Sequence, residues 1–211
     1  MPVHASPGST TKGEAGAARL LEAATRVLAR DGVGRASVGR IADEAGMAKR
    51  MIAYYFGSRD GLLTRVVQRI GERIARNLTE AADDDASPED AASAWVDALW
   101  TAVTAEPALV PAYFALTGGQ RVAATSEALD ELDALYVSLI RNFLLDHHPQ
   151  ARELSDVDLD TASEFVFAIL RGMLLKWVIQ GDGPMLDRHV AQLKELLVST
   201  PLLAPSVTTG E

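Results

Sequence analysis

Residues 37–56, with the sequence SVGRIADEAGMAKRMIAYYF, decide the fold of this chain. They predict two short helices joined by a tight turn at Gly46, which can adopt the left-handed conformation that ends a helix. Ser37 precedes the first helix, where its hydroxyl can accept from the free N–H groups of the first turn. The apolar face of this helix follows an i, i+3, i+4, i+7 pattern. Its residues are Val38, Ile41, Ala42 and Ala45.

The second helix of this stretch is both apolar and basic. Lys49, Arg50 and Tyr54 lie between its apolar residues, and side chains of this kind reach phosphates and base edges. Tyr55 and Phe56 lie on the buried phase, so we assign them to packing. Two short helices around a glycine turn, the second basic and aromatic, indicate a helix-turn-helix that binds DNA. An ordinary helical hairpin is the alternative interpretation.

Composition bounds the class of protein. The chain has 211 residues, 48% hydrophobic and 23% charged, which suits one large or two small globular domains. No apolar run is long enough to span a bilayer, and the first residues lack the apolar core of a secretory signal. We therefore expect a cytoplasmic protein without a membrane partner. The absence of cysteine excludes disulfides, cysteine-ligated zinc and thiol catalysis.

Charge is distributed unevenly along the chain, whose formal net charge is −9. Residues 1–80 hold 13 Lys+Arg and 8 Asp+Glu, whereas residues 81–211 hold 7 and 21, so the two parts carry +5 and −14. A basic head on an acidic body suits a protein that presents one end to DNA. The value of +5 is modest by itself and gains meaning because the helix-turn-helix lies in the basic part.

The whole chain is predicted to be all-α, with about nine helices and no period-two alternation. A long fourth helix would follow Ser58 and carry an apolar stripe as far as Leu78. It would begin in the head and end in the body, so it is a physical route for coupling them. The predicted parts are a flexible N-terminal tail (1–13), a helix-turn-helix DNA-binding domain (14–60, motif 37–56), a helical ligand-binding and dimerisation domain (61–204) and a flexible C-terminal tail (205–211).

The head resembles the tetracycline-repressor family of bacterial transcription regulators over about residues 15–65. The family pattern is roughly an N-cap Thr, Ile-Ala, Ala-Gly-Val-Ser, Leu-Tyr-x-Tyr-Phe and Ser-Lys-Glu-x-Leu. Ala48 replaces the Ser or Thr that usually caps the recognition helix, and Ala53 replaces a Tyr that often touches the DNA backbone. The matching residues are Ser37, Ile41-Ala42, Ala45-Gly46-Met47-Ala48, Ile52-Ala53-Tyr54-Tyr55-Phe56 and Ser58-Arg59-Asp60-Gly61-Leu62.

The resemblance implies a homodimeric repressor that a small apolar or amphipathic ligand releases from a palindromic DNA operator. Each recognition helix would enter the major groove of one half-site. Lys49 and Arg50 would contact phosphates or guanine edges, and Tyr54 a phosphate or a thymine methyl group. Ser37 and Arg59 would contact phosphates. The candidate DNA contacts are thus Ser37, Lys49, Arg50, Met51, Tyr54 and Arg59.

Apolar and aromatic side chains of the body could line a ligand cavity. Any one of them alone fits an ordinary core better, and only as a set do they favour a pocket, so a body that only dimerises or binds a protein partner stays open as an alternative. Gln120, Arg121, Asn142 and His147 are possible polar contacts of such a cavity. The candidate ligand-binding residues are Trp95, Leu99, Trp100, Val103, Tyr113, Phe114, Gln120, Tyr136 and Phe143.

The last two predicted helices, residues 158–180 and 184–199, form an antiparallel pair with apolar stripes. These stripes could be monomer core, but the family layout and Gly172, which permits close approach of helices, favour a dimer interface. The candidate interface residues are Ala162, Val166, Ile169, Met173, Trp177, Leu186, Val190, Leu193 and Leu197.

No catalytic motif, metal site or cofactor site is predicted. His147 and His148 are adjacent on one short loop and should point apart, so we expect a solvated helix end there rather than a metal site. An α-helical enzyme with an incidental helical hairpin is the remaining alternative, and no acid–base pair supports it.

Overall fold

The computed structural model describes residues 10–80, 86–118 and 123–198, and within these ranges the protein is built from helices without any β-strand. The all-α prediction is confirmed. One short 3-10 helix, Pro149–Glu153, lies between the seventh and eighth α-helices. The α-helices are α1 (Thr10–Asp31), α2 (Val38–Ala45), α3 (Arg50–Phe56), α4 (Arg59–Glu80), α5 (Pro88–Thr104), α6 (Leu109–Thr117), α7 (Ala123–His147), α8 (Asp156–Gln180) and α9 (Pro184–Leu197).

Helix α1 begins at Thr10, four residues before the predicted start, and therefore overlaps the predicted N-terminal tail. No proline follows Thr10 in this helix, so its polar first turn can extend the helical hydrogen bonds toward the N-terminus. The predicted apolar stripe of α1 is buried as expected, and its residues are Leu20, Leu21, Ala24, Val27 and Leu28.

The contacts divide the chain into two compact units. Of the described residues, the first unit groups 10–70 with 108–118 and 123–129, because α6 packs on α1, and α1 also packs on α2. The second unit groups 71–80 and 86–107 with 130–198. Helix α4 contributes its first part to the first unit and its last part to the second. The predicted boundary at residue 60 remains a prediction.

Helix ends in the second unit follow local sequence signals. Ser87 and Ser155 cap α5 and α8, since the N–H groups of Asp90 and Asp158 each donate to the preceding serine hydroxyl over 3.2 Å. Pro88 occupies the first position of α5, as predicted. Helix α9 packs on α5, where the Lys194 ammonium donates to the Asp97 carboxylate over 2.7 Å. No helix in the described part of the chain is long and apolar enough to cross a membrane.

Candidate functional site

Helix α2 starts and ends as its sequence predicts. The backbone N–H of Arg40 donates to the Ser37 hydroxyl over 3.3 Å, and Ser37 has the extended backbone of an N-cap. Gly46 has φ 61° and ψ 39°, in the left-handed region. The N–H of Met47 donates to the Ala42 carbonyl over 2.9 Å, a Schellman bond that completes the helix end. These caps fix where α2 stops and the turn begins.

Helix α3 has one buried and one exposed side. Ile52 is 1% exposed, whereas Tyr54 is 76% exposed. Tyr55 is half-buried and packs on α1, where a methyl group on Gly16 would lie 2.6 Å from its hydroxyl oxygen. No side chain caps the start of α3, as expected from Ala48. Contacts of Ile52 and Tyr55 therefore aim Tyr54 outward.

Several arginines of the first unit form ion pairs within the chain, although their side chains remain about half exposed. Arg26 and Arg30 both donate to Glu44, over 2.9 and 3.1 Å, and Arg40 donates to Asp31 over 3.0 Å. The hydrogen bond from Arg30 is the main cause that lowers the pKa of Asp31, and that from Arg26 does the same for Glu44. These pairs join α1 to α2 and neutralise the positive charge of their arginines.

Lys49 and Arg50 differ from these arginines. Both are exposed, and within the described part of the chain neither side chain has an ion pair or hydrogen bond. The Lys49 side chain lies over Gly39, since a methyl group there would be 3.5 Å from Nζ and 3.9 Å from the Ser37 hydroxyl oxygen. Ser37 and Lys49, predicted separately as phosphate contacts, therefore lie together at the start of α2, where helix N–H groups attract anions.

Arg59 is placed differently from the other predicted DNA contacts. Its Nε donates to the Ala36 carbonyl and its Nη2 to the Val33 carbonyl, each over 2.6 Å, and its Nη1 approaches Asp60 at 3.4 Å. These bonds tie the start of α4 to the loop between α1 and α2. The guanidinium is thus occupied within the chain, and its predicted phosphate contact stays a prediction.

Two residues of this surface were missed by sequence reasoning. Arg35 is exposed and stands two residues before the cap of α2, and no ion pair holds it within the described residues. Gly39 leaves the space that the Lys49 side chain occupies. Two features of the sequence could have indicated them. Arg35 is a cation just before the start of a helix, and Gly39 is a glycine inside a short helix.

The second unit contains a half-open pocket of about 200 Å³ between α4, α5 and α7. Trp95 and Phe143, both predicted, form part of its wall with their ring centroids 5.6 Å apart. Asn142 and His147 also line it, as expected of polar contacts. The remaining lining residues are Leu78, Thr79, Ala91, Ala94, Leu139 and Asp146.

Other predicted pocket residues lie elsewhere. Leu99 and Val103 are buried in the core. Tyr113 and Phe114 belong to α6 in the first unit and are not among the lining residues of the pocket. Gln120 and Arg121 lie outside the described residues. Two further predicted residues of the second unit form aromatic pairs outside the pocket. Trp100 pairs with Trp177 and Tyr136 with Phe167, each with its ring centroids 5.8 Å apart.

Six of the nine predicted interface residues are buried inside the single chain, because this face of α8 and α9 packs within the second unit. Ile169, Trp177 and Val190 are half-buried. A different face of α8 is exposed, at spacings of three and four residues. The six buried residues are Ala162, Val166, Met173, Leu186, Leu193 and Leu197. The exposed stripe consists of Phe165, Ala168, Gly172, Leu175 and Ile179.

The two adjacent histidines also have different surroundings. His147 lines the pocket, but His148 is 5% exposed, so the expectation of a solvated helix end is wrong for His148. Its imidazole hydrogen-bonds the Leu197 backbone, whereas its Nε2 has no partner. Burial lowers the pKa of His148. The described residues contain no group of three or more side chains suited to a metal ion.

An all-helical protein with an N-terminal helix-turn-helix and an exposed basic recognition helix belongs to the class of helix-turn-helix regulators. Residues 20–66 match the family described as bacterial regulatory proteins, tetR family. The head of this chain therefore matches the tetR family of bacterial regulators, the family that its sequence resembles.

A curated regulator is similar to part of the chain. The chain is 34% identical over 83 residues to the HTH-type transcriptional regulator BetI of Stenotrophomonas maltophilia (strain R551-3). This match covers 37% of the chain and 41% of the relative, so the chain spans about two fifths of the curated relative's length.

Two solved structures share the fold over most of their length. A transcriptional regulator from Pseudomonas aeruginosa PAO1 has a TM-score of 0.71 at 24% identity, covering 90% of this chain and 91% of its own. FadR from Bacillus subtilis, solved with stearoyl-CoA, has a TM-score of 0.71 at 19% identity and covers 86% and 97%.

Proposed function

We propose that the chain is a cytoplasmic transcriptional repressor that binds DNA as a homodimer and has no catalytic activity. Each α3 would enter the major groove of one half of a palindromic operator. The observation that carries this proposal is the contrast between the neutralised arginines of α1 and α2 and the unpaired Lys49 and Arg50. Charges without an internal partner remain available to phosphates and base edges.

The geometry supports distinct roles for the residues of this surface. Lys49, lying beside Ser37 at the start of α2, would bind one phosphate together with the helix N–H groups. Arg50, on the first turn of α3, would reach a guanine edge or a second phosphate. Tyr54 is exposed enough for a phosphate or a thymine methyl group. Half-buried Met51 would make a minor apolar contact, and Arg59 would position α4 instead of touching DNA.

We propose that the exposed stripe of α8, rather than the buried face predicted from the sequence, contacts a second copy of the chain. Phe165 is 55% and Ile179 72% exposed, and an apolar row at this spacing is typical of a helix that packs on another helix. Gly172 has open space above it, which would let the partner helix approach closely.

We also propose that a ligand in the pocket weakens DNA binding through α4. Leu78 and Thr79 of this helix line the pocket, while Arg59 at its other end holds the loop before α2. A ligand that shifts α4 would alter the separation of the two recognition helices, which must lie about one DNA turn apart.

The test begins with duplexes enriched from a random library by the purified protein. Lys49→Ala with Arg50→Ala removes two contacts per protomer and four per dimer, so affinity should fall at least about 100-fold. The log–log salt slope should fall by about 2 for the Lys49 phosphate contacts, and by about 4 where Arg50 also contacts a phosphate. Arg76→Ala with Arg188→Ala is the matched control, because it removes the same charge from exposed positions of the second unit. Equal binding by the two double variants would refute the proposed DNA interface.

A further inference from the structure

The pocket of the second unit combines aromatic walls with one charged side chain. The centroid of Phe143 lies 5.6 Å from that of Trp95 and 4.9 Å from that of His147. Leu78 and Leu139 add aliphatic surface. Asp146 is the one lining residue with a formal charge at neutral pH, and it has no ion pair within the described part of the chain. Aromatic residues and one carboxylate residue therefore belong to the same pocket lining.

The volume of the pocket limits the size of its ligand. A cavity of about 150 Å³ holds a benzene ring, and drug-sized ligands occupy pockets of about 300 to 1,000 Å³. At about 200 Å³, this pocket has room for one ring with a short substituent. A long acyl chain, such as that of the stearoyl-CoA bound by the FadR structure, exceeds it.

The charge of the pocket selects among ligands of this size. A carboxylate attracts a cation and repels an anion, and the faces of Trp and Phe rings attract cations through their quadrupoles. Asn142 and Thr79 supply hydrogen-bonding groups for an ammonium or a hydroxyl. A neutral alcohol would gain the apolar contacts and these hydrogen bonds but no attraction to the Asp146 carboxylate, and an anion would be repelled by that carboxylate.

We propose that this pocket binds a compact organic cation that carries a single ring, an arylalkylamine in chemical class. The proposal rests on the proposed function in one respect, that the pocket is the effector site of the regulator. The ring would pack against Trp95 and Phe143, and the ammonium would face Asp146. The bound cation would contact Leu78 and Thr79 of α4, so its binding could shift this helix, which begins in the DNA-binding head.

Three probes of matched size and different charge test the ligand class by titration calorimetry on the full chain. They are phenethylamine, phenethyl alcohol and phenylacetate, which all consist of one ring with a two-carbon side chain. We expect phenethylamine to bind about tenfold tighter than the alcohol, and phenylacetate to bind most weakly. Equal or tighter binding of the alcohol or of phenylacetate would overturn the selection for a cation.

Two variants test the location of the site. Asp146→Asn should weaken phenethylamine about fivefold and leave phenethyl alcohol unchanged, because the exposed carboxylate acts only on the charge. Glu131→Gln is the matched control, an exposed carboxylate on the same helix about 22 Å away by the helical rise. Trp95→Leu should weaken phenethylamine about tenfold. Unchanged affinity in Asp146→Asn and in a folded Trp95→Leu would overturn the assignment.

The outcomes separate this inference from the proposed function. If none of the three probes binds while the enriched duplex still does, the ligand class fails and the DNA-binding function stands, with a body that only dimerises or binds a partner protein favoured. If phenethylamine binds through Asp146 but leaves duplex affinity unchanged, the ligand class stands and the proposed release mechanism fails.

Discussion

Helices α2 and α3 of the head and helix α8 of the body are similarly rich in apolar residues. They differ in whether the local sequence predicts which side chains are buried and which are exposed. In α2 and α3, Ser37, Gly46 and Ile52 have local roles that the spacing alone predicts, and the structure places them accordingly. Helix α8 is apolar on more than one face, so both Val166, fully buried, and Phe165, more than half exposed, fit its sequence. A motif with one apolar face determines its own orientation, whereas a helix with several apolar faces is oriented by its neighbours.

The largest effect on stability is expected from Arg59, where the head depends on a tertiary contact. Arg59→Met removes the donors to the Val33 and Ala36 carbonyls and should lower the free energy of unfolding by about 3 kcal/mol. Urea unfolding measures this loss. Arg50→Met is the matched control, because it removes an exposed arginine without a partner in the described residues and should change DNA affinity rather than stability. The reverse result would make Arg59 the DNA contact.

A smaller effect is expected at Gly46, where the turn of the helix-turn-helix depends on backbone conformation. Its φ of 61° strains any residue with a Cβ, so Gly46→Ala should destabilise the protein by about 1 to 2 kcal/mol. Thermal unfolding followed by circular dichroism measures the loss. Gly34→Ala, in the preceding loop, has no positive φ and no atom near its added methyl group, so it should be neutral. Equal losses would contradict the role of the left-handed turn.

Sequence patterns predicted what depends on near neighbours in the chain. The caps at Ser37 and Gly46 and the exposure of Tyr54 follow from adjacent residues. The hydrogen bonds of Arg59 could not be predicted in this way, because the carbonyl acceptors belong to a loop more than 20 residues earlier in the chain. The burial of His148 similarly depends on Leu197 of α9.

The candidate pocket shows the same limit. Trp95 and Phe143 were predicted as possible lining residues along with seven others, and their meeting depends on the packing of α5 against α7. Asp146, which supplies the charge, has no distinguishing sequence pattern. Periodicity identifies apolar side chains but does not tell which of them leave a space between helices.

A change of about 1 kcal/mol in the free energy of unfolding is expected where α1 packs against α3. This prediction tests whether the head, like the body, depends on packing between helices. Gly13→Ala has open space and should stabilise α1 by about 1 kcal/mol. Gly16→Ala should lose this gain, because its methyl group meets the Tyr55 hydroxyl at 2.6 Å and displaces α3. Thermal unfolding and duplex binding should therefore worsen in Gly16→Ala relative to Gly13→Ala, and Tyr55→Phe should partly restore both. Identical behaviour of the two alanine variants would show that Tyr55 does not position α3.

The smallest effect is expected from one imidazole of the body. Burial lowers the pKa of His148, helped by His147 and opposed by the Leu197 backbone and by Glu89 on α5. An unfolded chain has a histidine pKa of about 6.5, so it binds more protons than the folded chain as pH falls through that value. The free energy of unfolding should therefore decrease between about pH 7 and pH 5, measured in urea at several pH values. His148→Phe should flatten this slope and His147→Gln should keep most of it, because burial of the His148 ring is the main cause of its lowered pKa. A slope that survives His148→Phe would assign the pH dependence to another group.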